Sequence, residues 1–177
     1  MHIRQTTAED RPEIEQLLDT AFGPDRHLRT AYRLREGSAP IDALCFVARR
    51  EDGECNGHLC ATIEFWPIEI ACRSTGARLP ALLLGPIAVA EDCRGKGLGG
   101  DLIRLGLVEA QALGHTLVLL VGDPEYYSRF GFSNTATANW GMPGPVEQRR
   151  LMVRASDPSL TLPVEADVQA PLRAAAE

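Results

Sequence analysis

A glycine-rich loop near the middle of the chain carries the strongest chemical signal. It reads Arg94-Gly95-Lys96-Gly97-Leu98-Gly99-Gly100 and lies between a predicted buried strand and the first turn of a predicted helix. Unpaired N–H groups and the positive end of the helix dipole favour an anion at such a position. The glycines let the backbone approach a pyrophosphate closely, and Arg94 and Lys96 add positive charge. The loop therefore predicts a phosphate-binding site.

Two widespread phosphate-binding loops fit this segment less well. A P-loop requires Ser or Thr after its lysine and a glycine five residues before its second glycine, but Gly97 and Ala90 occupy those positions. The dinucleotide fingerprint G-x-G-x-x-G is satisfied by Gly95, Gly97 and Gly100. However, its turn must follow the strand directly, and here Glu91 to Arg94 intervene.

A second candidate group lies on a strand in which polar and apolar residues alternate, so that the two sets face opposite sides of a sheet. The polar set is His58, Cys60, Thr62 and Glu64, and the apolar set is Leu59, Ala61, Ile63 and Phe65. Glu64 can act as a general base, directly or through water, if partial burial raises its pKa toward neutrality. A solvated strand glutamate fits the pattern equally well, and Glu69 is the next candidate.

Other reactive side chains do not form a recognisable site. Cys55, His58 and Cys60 lack the C-x-x-C spacing of zinc sites and a fourth ligand, so no metal is predicted. Cys93 precedes the glycine-rich loop, where it can sense redox state or become acylated, although an inert thiol is the simpler interpretation. Trp66 and Trp140 either wall a cleft or belong to the core.

The predicted secondary structure that must position these residues differs before and after about residue 90. Before it, the pattern predicts a strand, two helices and an antiparallel meander: His2 to Gln5, residues 10 to 22, Arg26 to Arg35, Leu44 to Arg49, His58 to Phe65, Ile68 to Cys72 and Leu82 to Ala90. A turn is predicted at Glu51-Asp52-Gly53, and Pro86 indicates a strand edge or bulge. After the loop it predicts a helix, a buried strand, a short helix and a closing strand: Leu98 to Leu113, Leu117 to Val121, a segment from Pro124, and Gln148 to Arg154.

The length and composition predict a single packed domain. Of 177 residues, 45% are apolar and 24% charged, as in ordinary globular proteins. We expect the domain to span residues 1 to 155, with 156 to 177 as a partly ordered or frayed extension. Because there is no signal-like run and no stretch of about 18 apolar residues, no membrane association is predicted and the location is expected to be cytoplasmic. The five cysteines are then reduced thiols.

The charge balance argues against nucleic acid as a partner. The net charge is −6 and the pI about 5.3, whereas phosphate backbones are bound by clustered Lys and Arg. Among the 18 basic residues a single one is lysine, Lys96, in the glycine-rich loop. A negative protein mildly favours a cationic substrate.

In its setting, the loop resembles that of the Gcn5-related N-acetyltransferases (GNAT), whose acetyl-CoA loop follows the pattern Arg/Gln-x-x-Gly-x-Gly/Ala. Arg94, Gly97 and Gly99 match it. The segment Leu84 to Val89 looks like the family's fourth strand, and Tyr126-Tyr127-Ser128-Arg129-Phe130-Gly131-Phe132 is similar to its second signature. The resemblance covers roughly residues 2 to 135 and looks closest to an uncharacterised bacterial branch with Gly-Asp-Pro-x-Tyr-Tyr-x-Arg-Phe-Gly-Phe.

This resemblance implies a fold and an activity. The fold is α/β (α+β), with a mixed, mostly antiparallel sheet of about six or seven strands, about four flanking helices, and fourth and fifth strands that splay apart. The activity is direct transfer of an acetyl group from acetyl-CoA to a primary amine of a small molecule or peptide, without a covalent intermediate or a metal. A homodimer is a family-level expectation. The alternative is a non-catalytic acyl-CoA-binding or regulatory module.

The resemblance also implies roles for individual residues. Backbone groups of Ile87, Ala88 and Val89 would hold the pantetheine arm, and the loop would hold the pyrophosphate. The coenzyme-binding set is Ile87, Ala88, Val89, Arg94, Gly95, Lys96, Gly97, Leu98, Gly99, Gly100 and Tyr126. Tyr127, four residues before Gly131, is the expected general acid toward the coenzyme sulfur, with Tyr126 as the second choice. Glu64 remains the candidate base.

Overall fold

A computed structural model of the chain describes residues 1–51 and 57–172. They form two compact units: residues 1–27, 40–65 and 84–114, and residues 28–39, 66–83 and 115 to the C-terminus. The α-helices are α1 (Arg11–Phe22), α2 (Thr30–Arg33), α3 (Leu98–Ala112) and α4 (Pro124–Tyr127). The strands are β1 (His2–Gln5), β2 (Phe46–Arg49), β3 (Leu59–Cys72), β4 (Arg78–Val89), β5 (Leu117–Val121), β6 (Trp140–Gly141), β7 (Leu151–Ala155) and β8 (Ala166–Gln169).

The first unit is an antiparallel sheet covered by α1 and α3. Strand β1 pairs with β2, and β2 pairs with the first half of β3. Helix α1 has Asp10 as its N-cap and a proline in its first turn, and it buries Ile14 and Leu18. These residues pack with Val47, Leu59 and Ala88 as one apolar cluster, which fixes α1 against the sheet.

A buried carboxylate ties the start of α1 to the sheet. Asp10 is buried and accepts hydrogen bonds from Arg4 (2.7 Å) and Arg49 (2.6 Å), which belong to β1 and β2. The hydrogen bond from Arg4 outweighs the effect of burial and holds the pKa of Asp10 well below its usual range. A buried charge of this kind is tolerated because it is paired and hydrogen-bonded.

The expected alternation along β3 is interrupted at its beginning. A register irregularity between β2 and β3 lies at Arg49, which pairs with Leu59, while Ala48 pairs with Ala61. Leu59 therefore joins the α1 cluster instead of sharing a face with Ala61, contrary to the simple pattern. Residues 59 to 65 of this strand are all buried, so Cys60, Thr62 and Glu64 do not face solvent, whereas His58, just before the strand, is exposed.

Helix α3 packs closely on Phe65 at Gly106. A Cβ atom at position 106 would overlap the Phe65 ring, which is fully buried. Alanine normally stabilises a helix interior relative to glycine by about 1 kcal/mol. At this position we expect the opposite sign, because the added methyl group must displace a buried ring.

We predict that Gly106→Ala lowers the free energy of unfolding by about 1–3 kcal/mol through overpacking. Urea unfolding monitored by circular dichroism measures the change. The double variant Gly106→Ala/Phe65→Leu is the control, since a smaller side chain makes room for the methyl group and should recover most of the loss. A stabilised Gly106→Ala would contradict the close packing of α3 on Phe65.

In the second unit, paired strands pack against a core rich in large apolar residues. The second half of β3 is antiparallel to β8, β8 is parallel to β6, and β5 is antiparallel to β7. Strand β4 runs parallel to β5 through the pairs Leu82–Val118 and Leu83–Leu119. The buried core includes Leu34, Ile68, Ile70, Leu83, Leu119, Trp140, Val153 and Val168.

The predicted fold class is confirmed: the strand pairings are mostly antiparallel, β4 and β5 are parallel, and four α-helices are present in the described residues. The strand number differs from the six or seven expected, since the described residues contain eight strands. The sequence pattern did not indicate the short β6 and β8. It predicted two strands separated at Pro67 where β3 is continuous, and it predicted a second helix longer than α2.

Two further predictions concern the turn at residues 51–53 and membrane-spanning helices. The predicted turn at Glu51-Asp52-Gly53 extends beyond residue 51, so most of it, like Cys55, lies outside the described residues. Within residues 1–51 and 57–172, no helix is both long and apolar enough to cross a membrane.

Candidate functional site

The glycine-rich loop forms the start of α3 as predicted. Gly95 and Gly97 have φ angles of 76° and 80°, in the left-handed region that favours glycine. Gly97 is the N-cap, and its carbonyl accepts the first helical hydrogen bond from the N–H of Asp101 (3.0 Å). The loop thus ends in a helix N-terminus whose first N–H groups have no partner inside the helix.

The exposure of the loop suits a charged ligand. Residues 94–97 are exposed, whereas Leu98 is buried and anchors the first turn of α3. Arg94 donates to the carbonyl of Val89 and Lys96 to the carbonyl of Asp92, each at 3.4 Å. These long contacts are to neutral acceptors, and within residues 1–51 and 57–172 neither charge is paired with a carboxylate, so the loop can accept an anion.

The end of β4 precedes this loop in the same unit. Ala88 is buried against α1, while Ile87 and Val89 are half-buried. The pairs with β5 stop at Leu83, so Gly85 and Pro86, joined by a cis peptide bond, lie beyond that ladder. This is where the sequence indicated an edge or a bulge.

The candidate base is a buried carboxylate. Glu64 is 3% exposed and accepts a hydrogen bond from Arg11 at the start of α1. Burial lowers the pKa of Arg11, but the charge and hydrogen bond of Glu64 outweigh burial and raise it overall. Burial and the nearby Glu64 charge also raise the pKa of Cys45 to about 12, so Cys45 remains a neutral thiol.

Thr62 lies two residues from Glu64 and is fully buried. Its hydroxyl has no hydrogen-bond partner within the described part of the chain. Alternate residues of a strand share a face, so this hydroxyl and the Glu64 carboxylate lie on the same side of β3. Both residues belong to the polar set predicted from the sequence, whereas nothing in the sequence pattern indicated Arg11 as the partner of Glu64.

The second-choice base is part of a different interaction. Glu69 accepts a hydrogen bond from Arg78 at 2.5 Å, which links β3 to β4 within the second unit. Arg78 also donates to Gln169 of β8 at 3.0 Å. Arg78 on β4 therefore connects Glu69 of β3 with Gln169 of β8.

The two tyrosines lie on α4 in the second unit. The Tyr127 ring makes an edge contact with Phe132 at 6.2 Å between centroids and another with Tyr126 at 4.9 Å. Burial, together with the neighbouring Tyr126 and Asp123, raises the pKa of Tyr127 to about 12. Its phenol is therefore protonated at neutral pH and can donate a proton. Tyr126 is 36% exposed and lies under the Arg129 guanidinium, 4.0 Å from the ring centroid.

Gly122 shapes the position of Tyr127, a relation that the sequence pattern did not reveal. A Cβ atom at position 122 would overlap the Tyr127 ring. If Tyr127 is the general acid, as the resemblance implies, we predict that Gly122→Ala displaces its ring and lowers kcat about tenfold or more, because catalytic groups must keep their geometry within about 0.5 Å. Steady-state kinetics measures the change.

Gly141→Ala is the matched control in the same unit. There, an added Cβ would meet the flexible ends of the Asp167 and Arg73 side chains, which can move aside. We expect kcat close to that of the wild type. Equal loss in both variants would show that the effect is not specific to Tyr127.

The two tryptophans named from the sequence, Trp140 and Trp66, lie in different surroundings. Trp140 is buried, and its Nε1 donates to the carbonyl of Pro163 at 2.8 Å, so it is a core residue. Trp66 is partly buried and lies 5.5 Å from the Arg35 guanidinium. Residues 1–51 and 57–172 contain no cluster of three His, Cys, Asp or Glu side chains suited to a metal.

The fold and the loop define an acetyltransferase domain of the GNAT type. A family model described as an acetyltransferase (GNAT) domain matches residues 2–135. The chain therefore belongs to the GNAT acetyltransferases.

Among its relatives are two uncharacterised N-acetyltransferases of Escherichia coli K12. YhbS is 33% identical over 136 residues, covering 77% of this chain and 75% of YhbS. YjhQ is 30% identical over 141 residues, covering 79% of this chain and 73% of YjhQ. These matches place the chain close to a YhbS-like bacterial branch.

Two solved structures agree with the fold. The chain is similar to E. coli YhbS in complex with CoA, with a TM-score of 0.73 and 27% identity over 96% of this chain and 89% of that chain. It is also similar to a GNAT family acetyltransferase from Brucella melitensis in complex with acetyl-CoA, with a TM-score of 0.65, 29% identity, and coverage of 97% and 96%.

Proposed function

We propose that this protein transfers the acetyl group of acetyl-CoA directly to a primary amine of a small molecule or peptide. The observation that carries the proposal is the exposed loop 94–97 at the N-terminus of α3, with glycines in the left-handed conformation. Two structurally similar acetyltransferases were solved with CoA or acetyl-CoA, which supports the same coenzyme here.

The loop residues would bind the coenzyme through its pyrophosphate. The N–H groups at the start of α3 supply donors, and Arg94 and Lys96 supply charge. Backbone groups of Ile87 to Val89, at the end of β4, would hold the pantetheine arm. The negative net charge of the protein favours an amine acceptor, which is a cation before it loses its proton.

Acetyl transfer needs an amine without its extra proton and a proton for the departing thiolate. Glu64 would accept the proton from the amine, directly or through water, and the buried hydroxyl of Thr62 lies on the same face of β3. Tyr127 would donate to the thiolate, because its raised pKa keeps the phenol protonated. The reaction then requires no covalent enzyme intermediate.

The role of Glu64 is tested by Glu64→Gln. We expect kcat/KM for the amine to fall about 100-fold at neutral pH, with unchanged acetyl-CoA affinity, since a general base contributes about 100-fold or more. Raising the pH should recover part of the rate by deprotonating the amine in solution. The matched control is Glu69→Gln on the same strand, for which we expect nearly wild-type turnover.

One observation favours a second candidate function, a non-catalytic acyl-CoA-binding or regulatory module. Glu64 is paired with Arg11, and ion pairs of this kind also occur where a carboxylate has a purely structural role. If the pair is only structural, the protein keeps the coenzyme loop but lacks a base.

The first experiment combines binding with turnover. Isothermal titration measures acetyl-CoA binding, and CoA release is followed with a thiol reagent in a panel of small amines and peptides. Binding with turnover supports the acetyltransferase, whereas binding without turnover across the panel supports the regulatory module. No binding of acetyl-CoA would overturn both.

A further inference from the structure

Two cysteine sulfurs lie unusually close together beside the coenzyme loop. The Sγ atoms of Cys60 on β3 and Cys93 are 2.7 Å apart, and both residues are fully buried. A covalent S–S bond measures about 2.0 Å, so the sulfurs need to approach by less than one ångström. Cys93 directly precedes Arg94, the first residue of the loop.

The backbone around the pair is already in place for a cross-link. The N–H of Ala90 donates to the carbonyl of Cys60 at 2.8 Å, and the N–H of Cys93 donates to the carbonyl of Ala90 at 2.9 Å. These two hydrogen bonds hold β3 next to the turn that contains Cys93. A bond between the sulfurs therefore requires little backbone movement.

A cationic side chain lies next to the Cys93 sulfur. Arg50 donates to Cys93 Sγ at 3.4 Å and to the Asp92 carboxylate at 2.9 Å, and His58 lies 3.9 Å from the same carboxylate. Burial, followed by the hydrogen bond with Cys93, raises the pKa of Cys60 to about 11. Cys60 thus keeps its proton, while the Arg50 cation lies next to Cys93.

We propose that Cys60 and Cys93 are an oxidative modification site that closes to an intramolecular disulfide with a peroxide and reopens with a thiol reductant. The Cys93 thiolate attacks one peroxide oxygen, the O–O bond breaks, and a sulfenic acid and a hydroxide ion form. The Cys60 sulfur then attacks the sulfenic sulfur, which releases its hydroxyl group as water. In total, two thiols lose two electrons and two protons, and one hydrogen peroxide becomes two waters.

A small oxidant suits this site because both sulfurs are buried. The cross-link would join residues 33 positions apart and attach the residue before the coenzyme loop to β3. A disulfide stabilises a protein by restricting its unfolded chain, more so for long loops. We therefore expect oxidation to raise the melting temperature by on the order of 10 °C.

The experiment uses the full chain, first reduced, then treated with hydrogen peroxide and alkylated. Peptide mapping without reductant should show one cross-linked peptide pair containing Cys60 and Cys93, which disappears after dithiothreitol. The rise in melting temperature should disappear with it. Alkylation of both cysteines after peroxide, over-oxidation of Cys93 without a cross-link, or cross-links through other cysteines, Cys55 included, would overturn the proposal.

Serine variants separate the pair from the other thiols. Cys60→Ser and Cys93→Ser should each lose the peroxide-dependent rise in melting temperature. Cys45→Ser, at another buried cysteine of the same unit, should retain it. If a serine variant does not fold, the peptide map of the natural chain still decides between cross-linked and separate cysteines.

Discussion

Gly97→Trp is expected to weaken acetyl-CoA binding about 100-fold or more. The side chain would prevent two of the charge-assisted hydrogen bonds that the loop is proposed to donate to the pyrophosphate, and losing each costs about 1.5–3 kcal/mol. Gly97 has a φ of 80° and caps α3. The nearest atom to an added Cβ is the Asp101 carboxylate at 3.9 Å, so a large side chain meets open space at the loop. An indole group there would occupy the path proposed for the pyrophosphate.

A non-glycine residue at this φ is also strained, so the steric effect needs a control with the same strain. Gly114, just after the other end of α3, has a φ of 86°, and an added Cβ meets no atom within 4 Å. We expect Gly114→Trp to share the backbone cost and to bind acetyl-CoA normally. Isothermal titration measures affinity, and circular dichroism melts report the strain.

The outcomes distinguish a misplaced site from a damaged fold. Wild-type affinity in Gly97→Trp would mean that the phosphates do not lie on this loop. Equal loss in both variants, with lower melting temperatures, would indicate strain instead of a blocked site. Loss confined to Gly97→Trp supports the coenzyme assignment.

Tyr127→Phe is expected to reduce kcat about 100-fold, since a general acid contributes about 100-fold or more, while the KM for acetyl-CoA stays nearly constant. The variant keeps the aromatic ring that packs against Phe132 and next to Gly122. It removes only the hydroxyl group. A fall in rate can therefore be assigned to the lost proton donor, and steady-state kinetics with a single amine measures it.

The pH profile gives an independent check on Tyr127. Because the pKa of Tyr127 is raised to about 12, its phenol stays protonated across the usual assay range. We expect the wild-type rate to show no decline from tyrosine ionisation up to about pH 10. Tyr126→Phe, at the exposed neighbour, is compared by kcat at saturating acetyl-CoA, because Tyr126 belongs to the expected coenzyme-binding set and its hydroxyl can affect the KM for acetyl-CoA. We expect its kcat to stay near that of the wild type. If only Tyr126→Phe loses activity, the second-choice tyrosine is the acid.

Local patterns predicted much of the fold. The spacing of Ile14 and Leu18 predicted α1, and the apolar run Leu117 to Val121 predicted β5. These signals lie within one element and depend on which face is buried. The same patterns failed where an element is very short, as at Trp140–Gly141, or where a strand passes through a proline, as at Pro67 in β3.

The candidate site was predictable in part for the same reason. The loop from Arg94 to Gly100 is one continuous segment whose glycines and charges indicate its conformation and ligand. Glu64 was different, because an alternating strand does not reveal whether its polar face meets water or a helix. Its burial depends on α1, which also brings Arg11 to it.

The sequence by itself determined the class of protein, because the loop and the aromatic segment that resemble the GNAT signatures each lie within a few neighbouring residues. The tertiary structure alone decided which distant side chains meet: Arg11 with Glu64, Phe65 with Gly106, and Cys60 with Cys93. Such contacts join residues far apart in the chain and arise from the packing of whole elements. Their distances therefore cannot be derived from spacing along the sequence.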